Sequence, residues 1–126
     1  MILITGGAGF VGSNLSIKLK QEFDKKKIVA FDNLKRKGSE INLTRLYKEG
    51  VVFIHGDVRK KNDFNFKDVE WIIDCSAEPS VMEGQIGRKD YMFKTNVLGT
   101  FNCLELAKEQ KCGIIFLSTS RVYPYT

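Results

Sequence analysis

Residues 1–12, Met1-Ile2-Leu3-Ile4-Thr5-Gly6-Gly7-Ala8-Gly9-Phe10-Val11-Gly12, open the chain with a short apolar run that breaks directly into glycine. Such a run, bounded at once by turn residues, reads as a buried strand. From Phe10 to about Phe23 the apolar residues Val11, Leu15, Leu19 and Phe23 recur every four positions, which is the spacing of one helix face. Strand, glycine turn and helix thus follow one another without a linker. The first N–H groups of a helix have no intrahelical acceptor and the helix dipole adds positive potential, so an anion is favoured at such a junction. Gly6 permits the tight turn, Gly9 the close approach of a phosphate, and Gly12 the close packing of helix on strand. In this context the glycines have the form that binds the pyrophosphate of a dinucleotide.

The same alternation continues outward from the turn. Strands are expected at Ile2–Ile4, at Ile28–Phe31 stopping at Asp32, at Val51–Ile54, at Val69–Asp74 and at Ile114–Leu117. Between them lie the helix from Phe10 and a weaker helical pattern over 40–48 with Ser39 as its N-cap. Phe64 and Phe66 stand in a short connecting element, and residues 76–89, with Pro79, Gly84 and Gly87, read as irregular. A long helix follows from about Asp90 to Lys111, with Phe93, Val97, Phe101 and Leu104 as its inner stripe. Five short strands separated by helices specify an α/β fold, a doubly wound parallel sheet of Rossmann type in the order 3-2-1-4-5. Residues 1–126 form a single NAD(P)-binding domain on this reading.

Composition narrows the function classes. The 126 residues are 43% hydrophobic and 28% charged, ordinary globular usage that argues against disorder. No apolar run approaches the roughly 18 residues of a membrane span, and the N-terminus lacks the basic lead-in of a signal peptide. A cytoplasmic protein is expected, with no membrane partner. Cys75, Cys103 and Cys112 form an odd set without C-x-x-C spacing and read as reduced and buried. The single histidine, His55, has no second ligand near it, so no metal is expected.

Asp32 ends the second strand a little over twenty residues past the glycines, where a carboxylate accepts hydrogen bonds from the adenosine ribose. The same charge repels a 2′-phosphate, so NAD is expected over NADP, although Lys35, Arg36 and Lys37 argue the other way. The net charge of +5 is concentrated at Lys25-Lys26-Lys27, Lys35-Arg36-Lys37, Arg59-Lys60-Lys61 and Arg88-Lys89. All but the first of these clusters follow the carboxyl ends of strands, the edge at which such sheets bind ligands. A positive rim there suits diphosphates better than nucleic acid, and no nucleic-acid partner is expected.

Taken in order, Thr5-Gly6-x-x-Gly9-x-x-Gly12, Asp32-Asn33-Leu34, Gly56-Asp57-Val58, Asn96-x-x-Gly99-Thr100 and Ser118-Thr119-Ser120-Arg121-Val122-Tyr123 resemble the successive motifs of the extended short-chain dehydrogenase/reductases, the NAD-dependent nucleotide-sugar epimerases and dehydratases. Phe31-Asp32-Asn33-Leu34-x-Arg36-Lys37-Gly38 with Asn42-Leu43 is more similar to the CDP-paratose (CDP-tyvelose) 2-epimerases than to the UDP-galactose 4-epimerases. The resemblance implies that the main chain of Phe10 and Val11 lines the pyrophosphate, and that Asn33, Lys37 and Gly38 belong to the cofactor site with Asp32. It implies that Asp57 accepts from the adenine amino group beside Val58, and that Ser76 and Ala77 pass close to the cofactor's ribose and phosphates. Asn96 would steady the active-site backbone from within the long helix, and Thr119 would contact a substrate hydroxyl.

The implied substrate is a CDP- or UDP-linked sugar. The family's general base is a tyrosine in a Tyr-x-x-x-Lys motif downstream of the Val-Tyr pair, and that motif is not among these residues. Tyr123 matches the non-catalytic Val-Tyr position, so no base is assigned. The chain stops within ten residues of its last strand. It reads as an N-terminal portion without the C-terminal substrate domain, able to hold NAD and inactive alone. The alternative is a stand-alone NAD-binding protein without catalysis. An exposed apolar edge beside the fifth strand would favour the portion, or a homo-oligomer that covers that edge.

Overall fold

The computed structural model of the protein describes residues 1–76 and 94–117. The expectations for residues 76–89 beyond Ser76, the start of the long helix with Phe93, Arg88-Lys89, Ala77 and Thr119 lie outside the described residues. Five parallel strands, β1 (Ile2–Thr5), β2 (Ile28–Asp32), β3 (Val52–His55), β4 (Trp71–Asp74) and β5 (Gly113–Phe116), form one sheet in the order β3-β2-β1-β4-β5. Leu3 pairs with Val29 on one side and Ile72 on the other, and Thr5 lies level with Phe31 and Asp74. The expected order is therefore the observed one, with strand ends moved by one or two residues.

Alternation along the strands divides the core in two. Leu3, Val29, Phe31 and Ile72 point to the face covered by α3 (Gly99–Gln110) and by the segment after β3, where Phe64 and Phe66 pack on Phe31 with ring centroids 5.3 and 5.4 Å away. Ile2, Ile4, Ile28, Ala30 and Ile73 point to the opposite face, against Leu15, Ile17 and Leu19 of α1 (Phe10–Glu22) and Leu46 of α2 (Asn42–Lys48). Helices on both faces make the sheet doubly wound.

Three local expectations are corrected. Ser39 does not cap the second helix: it is buried in a 3₁₀ turn, Ser39–Ile41, that leads into α2, and Gly38 and Ile41 hold the cap positions without side-chain bonds. In α1 the buried residues are Gly12, Ser13 and Ser16, while Val11 and Phe23 are exposed. In α3 the buried face is Gly99, Asn102, Cys103, Leu106 and Ala107, while Phe101 and Leu104 face outward, as does Val97 in the turn before it. α1 lies closest to the sheet through Gly12, Ser13 and Ser16, with Leu15, Ile17 and Leu19 packed beside that line. In α3 the small residues share the contact with Leu106, which is buried in the core.

Candidate functional site

All five strands end at one edge, so Thr5, Asp32, His55, Asp74 and Phe116 mark the rim from which the loops emerge. At its centre Gly6 turns the chain with φ of +65°, a left-handed conformation that favours glycine. A Cβ on Gly6 would run into the Cys75 carbonyl oxygen and lie 2.9 Å from the Ser76 Cα. From the start of α1, a Cβ on Gly12 would overlap the Gly6 carbonyl oxygen and sit 2.9 Å from the Gly7 Cα. Helix, turn and the end of β4 are thus in contact through main chain alone. At Gly9 the nearest atom a Cβ would meet is the Gly6 oxygen at 3.3 Å, so this glycine leaves open space.

The hydrogen bonds of the turn show which donors are used. Gly7 N–H donates to the Phe31 carbonyl (3.1 Å), Gly9 N–H to the Gly6 carbonyl (3.1 Å), and Ser13 N–H makes the first α-helical bond, to Gly9 (2.9 Å). Ala8 N–H donates to Asp32 Oδ2 at 3.0 Å. The N–H groups of Phe10, Val11 and Gly12 precede that first helical bond and have no intrahelical acceptor. Gly9 supplies no side-chain cap, and the first turn of α1 holds no acidic residue. Three main-chain donors at a positive helix end, beside a cradle that side chains would fill, fit a pyrophosphate.

Asp32 stands beside this turn with its second oxygen, Oδ1, accepting from Leu34 N–H at 2.8 Å. Leu34 reaches that bond by adopting φ of +57°. Each carboxylate oxygen has a further lone pair, so Asp32 can still accept from hydroxyl groups. Asn33 bonds its own loop through Lys35 N–H (2.9 Å), and its carbonyl lies 3.2 Å from His55 Nε2. Lys37 is exposed farther along the loop, and Gly38 N–H bonds Glu40 Oε2 at 3.2 Å. The loop then returns: Asn42 Nδ2 donates to the Ala8 carbonyl at 2.7 Å.

Asp57 and Val58 are buried just past β3. The Asp57 carboxylate accepts from Arg59 N–H (2.9 Å), Nε (3.0 Å to each oxygen) and Nη2 (2.6 Å). Burial works against the charged form, yet the hydrogen bonds and charge of Arg59, with a hydrogen bond from Asn33, hold this carboxyl below the ordinary aspartate value of 3.8. Arg59 thus occupies much of the acceptor capacity that the adenine amino group would use. Val58 packs where Gly99 leaves space, 2.8 Å from a Cβ built there, and its carbonyl accepts from Asn102 Nδ2 at 2.7 Å.

The end of β4 holds a group that sequence reading passed over. Asp74 is buried and accepts from the hydroxyls of Thr5 (2.7 Å), Ser76 and Thr100 (3.2 Å), and from Ser76 N–H (3.0 Å). This ties the ends of β1 and β4 to the first turn of α3. No spacing in the sequence marks an aspartate within a strand for such a role; only the pairing of Thr5 with Asp74 makes it visible. Asn96 sits in a π-helical turn, Lys94–Leu98, that leads into α3, and its carbonyl accepts from the Thr100 hydroxyl at 2.9 Å. Beside the network the Cys75 thiol is pushed up to about 12, by burial first and by the Asp74 charge second. The buried Cys103 is raised for the same two reasons, against a hydrogen bond with Thr5. All three cysteines are free, Cys75 and Cys112 half-buried.

The structure therefore brings Gly6, Gly9, Phe10, Val11, Gly12, Asp32 and Ser76 together around one turn, with Asn33, Asp57 and Val58 alongside. Of the basic clusters among the described residues, Lys35-Arg36-Lys37 and Arg59-Lys60-Lys61 follow the carboxyl ends of β2 and β3, and Lys25-Lys26-Lys27 lies at the opposite edge. No helix among the described residues is long and apolar enough to cross a membrane, and none of their His, Cys, Asp and Glu side chains form a group of three or more that could hold a metal ion.

Comparison with known proteins bears on the family and the fold. The chain is 41% identical to CDP-paratose 2-epimerase of Salmonella typhi over 97% of its own length and 37% of that protein's. It is 34% identical to dTDP-D-glucose 4,6-dehydratase of Dictyostelium discoideum, covering 97% of this chain and 29% of the relative. Its fold is similar to that of UDP-glucose 4-epimerase from Bifidobacterium longum in complex with NAD+ and UDP, with a TM-score of 0.80 at 26% identity, over 97% of this chain and 38% of that one. The chain thus spans less than two-fifths of the length of each of these proteins. The model of the NAD dependent epimerase/dehydratase family matches residues 2–126, so a glycine turn at the head of a five-stranded parallel sheet is here that of a member of this family.

Proposed function

We propose that this chain binds NAD as the cofactor-holding portion of an enzyme that epimerises or dehydrates a nucleotide-linked sugar. The observation that carries the reading is the pairing of three unused helix-start N–H groups with a carboxylate held 3.0 Å from the same turn. The turn receives the pyrophosphate through the N–H groups of Phe10, Val11 and Gly12, while Asp32 accepts from the adenosine ribose and disfavours a 2′-phosphate. Asn33, Lys37 and Gly38 border the ribose, Asp57 and Val58 the adenine, and Ser76, Ala77 and Asn96 the second half of the dinucleotide. Thr119 contacts a substrate hydroxyl. NAD, when bound, supplies a hydride acceptor and donor for the sugar ring. The substrate of the whole protein on this reading is a CDP- or UDP-linked sugar; the relatives are named for CDP-, UDP- and dTDP-linked sugars, which supports a nucleotide-diphosphate sugar.

Exposure on the far side of the sheet supports a larger assembly over a stand-alone binding protein. Ile115, Phe116 and Leu117 on and after β5 are 46%, 49% and 38% exposed, and Val97, Phe101 and Leu104 lie exposed on the neighbouring helical segment. Further chain or a second copy covers such a surface in the working enzyme. Thermal unfolding with added NAD tests the binding reading. Ligand at a hundredfold excess over Kd stabilises by about 2.7 kcal/mol, so the melting temperature rises by several degrees. No rise at millimolar NAD would refute it.

A further inference from the structure

The two main-chain polar groups of Ala8 are both taken by side chains from beyond the turn. Asp32 Oδ2 accepts from the N–H at 3.0 Å, and Asn42 Nδ2, from the first residue of α2, donates to the carbonyl at 2.7 Å. Asn42 is itself held. Its Oδ1 accepts from Arg45 Nη1 at 3.1 Å, and Arg45 Nη2 donates to Asn14 Oδ1 at 2.8 Å. Asn14 Nδ2 then donates to the Phe10 carbonyl at 2.7 Å. The path runs from Ala8 through α2 and back to α1 at Phe10, so it closes a ring of side chains across the turn. The segment it brackets, Ala8 to Phe10, leads into the unused N–H groups.

We infer that Asn42, backed by Arg45 and Asn14, is a positioning residue that fixes the direction of the Phe10 and Val11 N–H groups for a pyrophosphate. This rests on the reading of the turn as the cofactor's phosphate site. Main-chain donors stabilise a phosphate best when already aimed, because ordering them on binding costs affinity. Gly6 and Gly9 make the turn adaptable, and a flexible turn needs an outside restraint to present one conformation. The ring supplies it from α2, 34 residues away from Ala8 in sequence. Asn42 contacts no ligand in this account.

Asn42→Leu isolates the effect, since it keeps much of the shape and removes the donor to Ala8 without placing a new charge beside the phosphate. In the full 126-residue chain it raises the Kd for NAD by about fivefold, the equivalent of one lost hydrogen bond. Adenosine, which has no phosphate, binds unchanged within about twofold, as followed by chemical-shift titration. Arg45→Gln, at an exposed position that leaves folding intact, weakens NAD in the same direction. Unchanged NAD affinity in both variants, or equal weakening of NAD and adenosine, would overturn the inference. Failure of the unsubstituted chain to bind NAD would instead remove the phosphate-site reading beneath it.

Discussion

The carboxylate of Asp32 accepts a main-chain hydrogen bond on each oxygen, from Ala8 and from Leu34, before any ligand arrives. Replacing it to admit a 2′-phosphate therefore also releases the glycine turn. Asp32→Ser is expected to lose about 2 kcal/mol of stability in urea denaturation, since two charge-assisted bonds go, and to weaken NAD without gaining NADP. The glycines separate in the same way. Gly12→Ala forces a methyl into the Gly6 carbonyl and costs about 2 kcal/mol. Gly9→Ala, at φ −73° and ψ 178° with its nearest atom at 3.3 Å, changes stability by less than about 1 kcal/mol yet blocks the phosphate. Paired denaturation and binding curves distinguish the two. Asp32 and the glycines were legible because their spacing is tied to a strand end. Asp74 and the contact of Asn42 with Ala8 were not, because their partners are distant in sequence.

Elements were legible in type and order, less so in the face each helix buries. A spacing of four apolar residues suggested the stripes Val11–Phe23 and Val97–Leu104, but the fully buried residues are Gly12, Ser13 and Ser16 in α1 and Gly99, Asn102, Cys103, Leu106 and Ala107 in α3. A sheet admits a helix most closely where side chains are short, and hydrophobic periodicity does not weigh size. The segment after β3 carries a pH-dependent contact. Asp57 is held below 3.8, so its stabilisation through Arg59 is present above that pH and is lost as the pH falls through the lowered value. Arg59→Ala should lower stability by about 1 kcal/mol at pH 7, and the difference from the unsubstituted chain should close on acidification below 3.8. A gap that persists at low pH would contradict the role given to Asp57.

At the scale of the molecule, the alternation of strands and helices was enough to place five strands in the order 3-2-1-4-5, because parallel pairing leaves few alternatives. It could not show that one side of the sheet carries Ile115, Phe116 and Leu117 exposed, since exposure depends on which neighbours are present. The glycine turn after β1, with Asp32 at the end of β2, is the part on which the account depends. Calorimetric titration of the chain with NAD and with NADP, in the same buffer, tests it most directly. The account predicts one site for NAD and an affinity for NADP at least about tenfold weaker, from the like charges of Asp32 and a 2′-phosphate. Equal affinity for the two would contradict the role of Asp32, and binding of neither would contradict the site itself.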